Sequence, residues 1–134
     1  MSMGFEDIRL AVESHLAAWP DAPVSFDNVA TQPSVQAAID GKQPWVRCVI
    51  NHGDSLTAGV GSSPCVRRTG LIQCQIFTAE RIGSSQAAQL ADSLAQHLEF
   101  YQDGPLETQA ASVQRVGPQD GWFMYLVSVP FRAD

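Results

Sequence analysis

The hydrophobic residues of the first segment recur every three or four positions. In SMGFEDIRLAVESHLAAWP this spacing is typical of one apolar face of a helix, and Pro20 ends the pattern because proline cannot continue a helix. The apolar face comprises Phe5, Ile8, Val12, Leu16 and Trp19. PVSFDN then predicts a short strand around Val24 to Phe26. After it, Pro33 and Asp40-Gly41 bracket one short helical turn.

From Trp45 the hydrophobic period changes to two, which predicts a strand over WVRCVIN. Val46, Cys48 and Ile50 alternate with Trp45, Arg47 and Val49. The Asn-His-Gly-Asp sequence that follows favours a turn, so we expect a hairpin whose return strand begins in SLTAGV. The glycine, serine, proline and arginine residues across Gly61 to Arg67 predict an exposed loop.

The stretch RRTGLIQCQIFTAERIG, from Arg67 to Gly83, predicts a strand from Gly70 with two unlike faces. Alternation places Ile72, Cys74 and Ile76 on one face, which indicates core. The opposite face carries Leu71, Gln73, Gln75 and Phe77. Two neutral amides between two apolar residues form neither an ordinary charged solvent face nor a second core, so this face is expected to meet another surface.

The segment SSQAAQLADSLAQHLEFY predicts a second helix with its own apolar stripe. That stripe comprises Ala87, Leu90, Ala91, Leu94, Leu98 and Tyr101. Next, ETQAASVQRVG and GWFMYLVSVPF flank GPQDG, whose Gly-Pro and Asp-Gly pairs predict a C-terminal hairpin. Its last strand is apolar on both faces and must therefore be covered from both sides.

The order helix, strands, helix, hairpin predicts a single α+β domain over residues 1–134. We expect a mixed, mainly antiparallel sheet of about five strands with two main helices packed on one face. Two helices cannot cover both faces. The partial hydrophobicity of the second face, with Leu71, Phe77, Trp45 and Val49, predicts that another subunit or the loop from Asn28 to Gln43 shields it.

Composition narrows the class of partner. Fourteen acidic residues against eight basic ones give a net charge of -6, which repels phosphate backbones, so nucleic-acid binding is not expected. Lys42 is the only lysine, and an arginine bias favours protein interfaces. No apolar run approaches the ~20 residues that span a bilayer, and MSMGFEDIRL lacks a signal pattern. Neither membrane insertion nor export is expected.

No residue pattern indicates catalysis, a cofactor or a metal. HGDS, from His52 to Ser55, suggests a hydrolase, but triads are assembled from distant segments, and turn chemistry explains the residues more simply. GVGSS lacks the lysine of a phosphate-binding loop, and His15 and His97 have no metal-ligand spacing. The three cysteines are expected to be reduced thiols, with Cys48 and Cys74 in the core.

Three arginines are candidates for protein contacts. Arg67 and Arg68 form the only adjacent basic pair, and Arg47 projects from the non-core face of its strand. A solvated pair is the simpler interpretation of Arg67 and Arg68. The functional alternative is pairing between subunits with acidic residues. The candidates for that pairing are Asp92, Glu99 and Asp103.

The pattern as a whole resembles the small phage tail terminator-like proteins, similar in kind to the tail terminator of lambda-like phages. The resemblance is carried by the N-terminal helix, SFDN, QPWVRCVINHGDS, RRTGLIQCQIFTAERIGSSQAAQLADSL and GWFMYLVSVPF. It covers most of the chain. The insert VQAAIDG before Lys42 is longer than the family pattern.

The resemblance implies a structural, non-enzymatic protein of the virion tail that assembles in the cytoplasm of a bacterial host. It would form a ring, expected to be a hexamer, that caps the tail tube, ends its polymerisation and presents a surface to the head-completion protein. Its implied partners are further copies of itself, the tail tube protein and the head-completion protein. The contact residues we expect are Arg47, Arg67, Arg68, Gln73, Gln75 and Phe77.

Two alternatives remain beside this interpretation. The first is another head-tail connector or tail completion role, which uses similar small domains. The second is a small hydrolase-like enzyme, in which His52 and Ser55 converge with a distant acid beside the loop from Gly61 to Arg67.

Overall fold

A computed structural model describes residues 3–61 and 65–134 of the chain. This part contains three helices and seven strands. In chain order they are α1 (Phe5–Ala17), β1 (Val24–Phe26), α2 (Pro33–Asp40), β2 (Trp45–Thr57), β3 (Val66–Ala79), α3 (Ser85–Leu98), β4 (Gln102–Asp103), β5 (Leu106–Thr108), β6 (Ser112–Gln119) and β7 (Trp122–Ala133).

The seven strands form one mixed sheet in the order β1-β2-β3-β7-β5-β4, with β6 also paired to β7. Only the β1–β2 pair is parallel. The α+β class and the mainly antiparallel sheet are as expected. The expected number of about five strands was too low, because β4 and β5 are short strands after α3 that the periodicity of the sequence does not show.

One face of the sheet, the inner face, is covered by α1 and α3. Ile72, Cys74 and Ile76 of β3 are at most 1% exposed there, which confirms the predicted core face. The helix residues packed against them are Ile8, Val12, Leu16, Ala91, Leu94 and Leu98. The two main helices lie on this face, but the helix packing differs from the prediction because a third helix covers part of the opposite face.

The opposite, outer face has a helix of its own, α2, where the sequence predicted only one helical turn. Val35 and Ala38 of α2 are buried against the sheet. They pack on Trp45, Phe77, Trp122 and Met124. The segment from Asn28 to Gln43 therefore shields one end of the outer face, which was one of the two possibilities that the sequence left open.

β2 does not turn at Asn-His-Gly-Asp. The strand continues to Thr57, with a register shift between His52 and Ser55, and pairs with β3 throughout. Between these pairs Gly53 and Asp54 on β2 oppose the single residue Thr69 on β3, which is the geometry of a β-bulge. The hydroxyl of Thr69 donates a 2.8 Å hydrogen bond to the carbonyl of Asp54. The predicted turn and return strand were wrong because pairing with β3 satisfies this backbone.

β3 begins at Val66 rather than Gly70, so Arg67 lies on a strand and not in the predicted loop, and Arg68 lies on the same strand. Residues 62–64 of that loop lie outside the described residues.

Gly70 is required where β3 crosses Phe131, since a Cβ there would lie 2.6 Å from the ring and 2.5 Å from the carbonyl oxygen of Asn51. At the other end of the sheet, Asp120 and Gly121 have positive φ and close the predicted C-terminal hairpin.

None of the helices that the structure describes has both the length and the apolar composition needed to span a bilayer.

Candidate interaction surface

The outer face of β3 changes from open to covered along the strand. Leu71 is 37% exposed and Phe77 is 7% exposed, while Gln73 and Gln75 between them are half-buried. Alternation along the strand predicted that these four side chains share a face, and they do. It could not predict that the chain itself covers Phe77.

We call the end under α2 the covered half, consisting of Trp45, Phe77, Trp122 and Met124. The rings of Trp45 and Phe77 stack at a centroid distance of 4.1 Å, and Trp122 meets each edge-on at 6.2 and 6.4 Å. This packing makes Phe77 a core residue. Phe77 is thus covered by the chain itself, and its expected part in a contact with another protein stays a prediction.

We call the other end the open half, consisting of Val49, Leu71, Gln73, Gln75 and Leu126. Val49 lies opposite Gln73 on β2, and Leu126 lies opposite Gln75 on β7. Each of the five side chains is uncharged. Apolar side chains thus flank two amides on a surface that is partly exposed to solvent.

The two amides of the open half differ in their hydrogen bonding. The carbonyl oxygen of Gln73 accepts a hydrogen bond from the side-chain amide of Asn51. Within residues 3–61 and 65–134, the Gln75 side chain has no hydrogen-bond partner. A half-buried amide without a partner keeps both donor and acceptor capacity for another surface.

Arg47 lies at the boundary between the two halves, directly opposite Gln75. Its guanidinium carbon is 5.4 Å from the ring centroids of both Trp45 and Phe77. Among the described residues it has no carboxylate partner. Two shallow pockets, of about 290 and 200 Å³, lie on the two sides of Arg47 and Gln75. Arg47 therefore offers an unpaired cation beside two depressions that a partner side chain could enter.

Arg67 and Arg68 lie at the far end of β3 and bind within the chain. The Arg67 guanidinium is 2.6 Å from the carboxylate of Asp134, which raises the pKa of Arg67 and lowers that of Asp134. Arg68 donates a 3.0 Å hydrogen bond to the carbonyl of Met3. The structure does not bring these two arginines to Arg47 and Gln75, and their pairing with acidic residues of another copy stays a prediction.

His52 lines a separate pocket of about 430 Å³ between α1 and the edge of β2. Its ring packs edge-on against Phe5 at 4.9 Å and Phe131 at 6.2 Å. Ser55 is not among the lining residues, and its hydroxyl instead accepts a 3.4 Å hydrogen bond from Arg68. Within the described residues, the lining side chains of this pocket include no serine, so the structure does not bring Ser55 together with His52 as the hydrolase alternative requires.

Two histidines that showed no metal-ligand spacing in the sequence, His15 and His97, join the helices of the inner face. The Nε2 atom of His15 lies 2.6 Å from the carbonyl oxygen of His97, and the Nε2 atom of His97 lies 2.6 Å from that of His15. The two rings stack at 3.9 Å. Burial lowers the pKa of His15. A pairing of this kind has no signature in the sequence, because the two residues are far apart along the chain.

The comparisons with known proteins agree on the fold and indicate a family. A family model described as phage tail terminator protein matches residues 7–131. A solved structure superposes with a TM-score of 0.71 over 98% of this chain and 96% of that chain, at 19% sequence identity. At that identity the likeness shows the fold alone. No curated protein sequence matches the chain.

Proposed function

The chain belongs to the phage tail terminator family, and from this premise we propose that it caps the tail tube, ends tube polymerisation and presents a surface for joining to the head. Membership of this family makes the protein a component of the phage tail. The roles in capping, termination and head joining are our proposal, and so is the absence of an enzymatic activity.

The observation that carries the proposal is the open half of the outer face. An exposed, half-apolar and uncharged surface can pack against another protein without the desolvation cost of burying unpaired charges. Gln75 supplies hydrogen-bond donors within the open half and Arg47 supplies donors at its boundary. Two shallow pockets beside these residues could receive side chains of a partner. These features favour a protein partner over a small-molecule substrate.

We extend the proposal to a ring of copies, a hexamer, seated on the end of the tube. Head-to-tail contacts between identical subunits close into a ring when the rotation between neighbours divides a full turn. In such an assembly the open half is covered either by a neighbouring copy or by the tail tube protein. The head-completion protein is proposed to bind the opposite side of the ring.

The proposal is tested by the length of tails made with and without the protein. Particles assembled without it should have tails of uncontrolled length. Normal tails of correct length in its absence would contradict the termination role. Failure of head joining with normal tail length would instead indicate the connector or completion role.

A substitution in the open half tests whether this surface is needed for the control of tail length. Gln75→Lys places a charge without a partner in the open half, and burying that charge against another protein opposes docking. We expect it to reproduce the loss of length control. Gln96→Lys, on the exposed side of α3, is the matched control and should give normal tails.

A further inference from the structure

Two edges of the sheet have no strand partner among the described residues. β6 pairs with β7 along one side only. β2 pairs with β3 on one side, but its other side is paired with β1 only as far as Cys48. Residues 49–57 of β2 and the whole of β6 therefore present unpaired backbone groups, at opposite sides of the sheet and over similar lengths.

Unpaired edges of this kind are templates for strand addition, and monomeric proteins usually protect them. β6 is protected at one end, where Gly117 and Pro118 follow a register shift. Before that shift, residues 112–115 form an ordinary strand. Val113 and Val116 are 49% and 42% exposed, so the β6 edge carries apolar side chains as well as free backbone groups.

The two edges carry opposite charge. Beside the β2 edge, three carboxylates line the pocket with a single guanidinium, that of Arg9. The carboxylates belong to Glu6, Glu13 and Asp27. Arg9 pairs with Glu6 at 2.6 Å and with Glu13 at 3.1 Å, while Asp27 has no cationic partner among the described residues. β6 carries Arg115 and no acidic residue. Arg115 lies over the Phe123 ring at 5.6 Å and, within the described residues, has no carboxylate partner.

The strand directions allow these edges to meet between identically oriented copies. Each step from β2 to β3, from β3 to β7 and from β7 to β6 is antiparallel, so β6 runs opposite to β2. Copies related by rotation about an axis along the strands would therefore place β6 of one copy antiparallel to β2 of the next. Pairing of like edges would bring Arg115 close to its own counterpart or carboxylates close to carboxylates.

We infer that β6 of one copy adds to residues 49–57 of the next copy as an antiparallel strand. Arg115 then meets the carboxylate of Asp27, and the contact is head-to-tail, as ring closure requires. The inference rests on the proposed function, because it describes how neighbouring copies contact each other in the proposed ring. It assigns the contact between copies to the strand edges and leaves the open half of the outer face for the tail tube.

Site-specific photocrosslinking tests this contact in particles assembled with the tail proteins of the same genome. Gln114 on β6 is replaced by p-benzoylphenylalanine, and the crosslinked peptides are identified by mass spectrometry. We expect a bond to residues 49–57 of another copy. The same replacement at Gln96 on α3 is the matched control and should give no bond between copies. Replacement at Ser112 provides a second β6 probe if the first variant does not fold.

Variants with altered charge make the test quantitative, because the crosslink yield can be compared between them. Arg115→Glu should lower the crosslink yield about tenfold, since close charge pairs across interfaces carry couplings of this size or more, and Asp27→Arg in the same chain should restore part of the yield. A bond from β6 to β6, a bond only to another protein, or no bond between copies would overturn the inference. Protein that is present in tails but crosslinked elsewhere contradicts only this inference, whereas tails that do not contain the protein contradict the proposed function.

Discussion

The covered and open halves of the outer face are built on the same three central strands, β2, β3 and β7, and differ in what lies above them. Under α2 the strands carry stacked and edge-on aromatic rings. Beyond α2 they carry leucine, valine and amides. The composition of the sheet therefore follows the cover that the chain itself supplies. The open half is too polar to be a permanent core and too apolar to be an ordinary solvent face, which fits a surface that is covered only on assembly.

The largest difference between the halves should appear in stability. Phe77→Ala removes a buried ring from the covered half and should cost about 3–5 kcal/mol of unfolding free energy. Leu71→Ala in the open half should cost less than about 1 kcal/mol, because the side chain loses little packing there. Urea unfolding of the two variants measures both values. Similar losses at the two positions would show that the halves are not different environments.

The next largest effect should appear in binding to the tail. For binding, a substitution in the open half should matter although it leaves stability unchanged. Gln75→Lys should leave the unfolding free energy within about 0.5 kcal/mol, as surface substitutions do. Its affinity for the assembled tail should fall by roughly thirtyfold, because burying an uncompensated charge costs at least about 2 kcal/mol. Quantitative pull-down on purified tail tubes measures this. Unchanged affinity beside an unchanged Gln96→Lys control would remove the open half from the contact.

Arg47 at the boundary should give a smaller effect on stability. Arg47→Ala removes a cation from above two rings, and exposed contacts of that type contribute about 0.5–1 kcal/mol. Arg47→Lys keeps the charge but loses the planar guanidinium. Its affinity for the tail should therefore lie between that of Arg47→Ala and that of the unchanged protein. Full recovery by lysine would show that charge alone matters at this position.

The smallest effect concerns the inner face, which differs from both outer halves in carrying the paired histidines of α1 and α3. Burial places the pKa of His15 in the folded chain below its ordinary value of 6.5. The unfolded chain then binds more protons as the pH falls through that value, so the unfolding free energy should decrease. Urea unfolding at neutral and mildly acidic pH checks the direction. The variant His15→Gln should lose part of this dependence, and an unaltered pH dependence would contradict the account of the pair.

The sequence predicted what depends on local periodicity. The apolar stripes of α1 and α3 and the alternation of β3 were read correctly, because each has a period that survives in the fold. Phe5 was the exception, since it is 49% exposed. The turn predicted at Asn51 to Asp54 failed because strand pairing, a property of the whole sheet, outweighed the local preference of Gly53 and Asp54 for a turn.

The sequence predicted which residues form the candidate surface but not which of them are exposed to solvent. Alternation assigned Leu71, Gln73, Gln75 and Phe77 to one face, but only the position of α2 decides which of them are covered. The segment VQAAIDG contributes most of that helix. The open edges of β2 and β6 were not predictable either, because an unpaired edge is defined by the absence of a neighbour in the sheet.

Oxidative footprinting of side chains in free protein and in assembled tails tests most directly whether the open half is covered on assembly. Leu71 and Leu126 are the reporters, and Phe100, which is 73% exposed after α3 on the opposite layer, is the internal reference. The account predicts that both leucines become less reactive in tails while Phe100 does not change. Leucines that react equally in the free and assembled protein would contradict it.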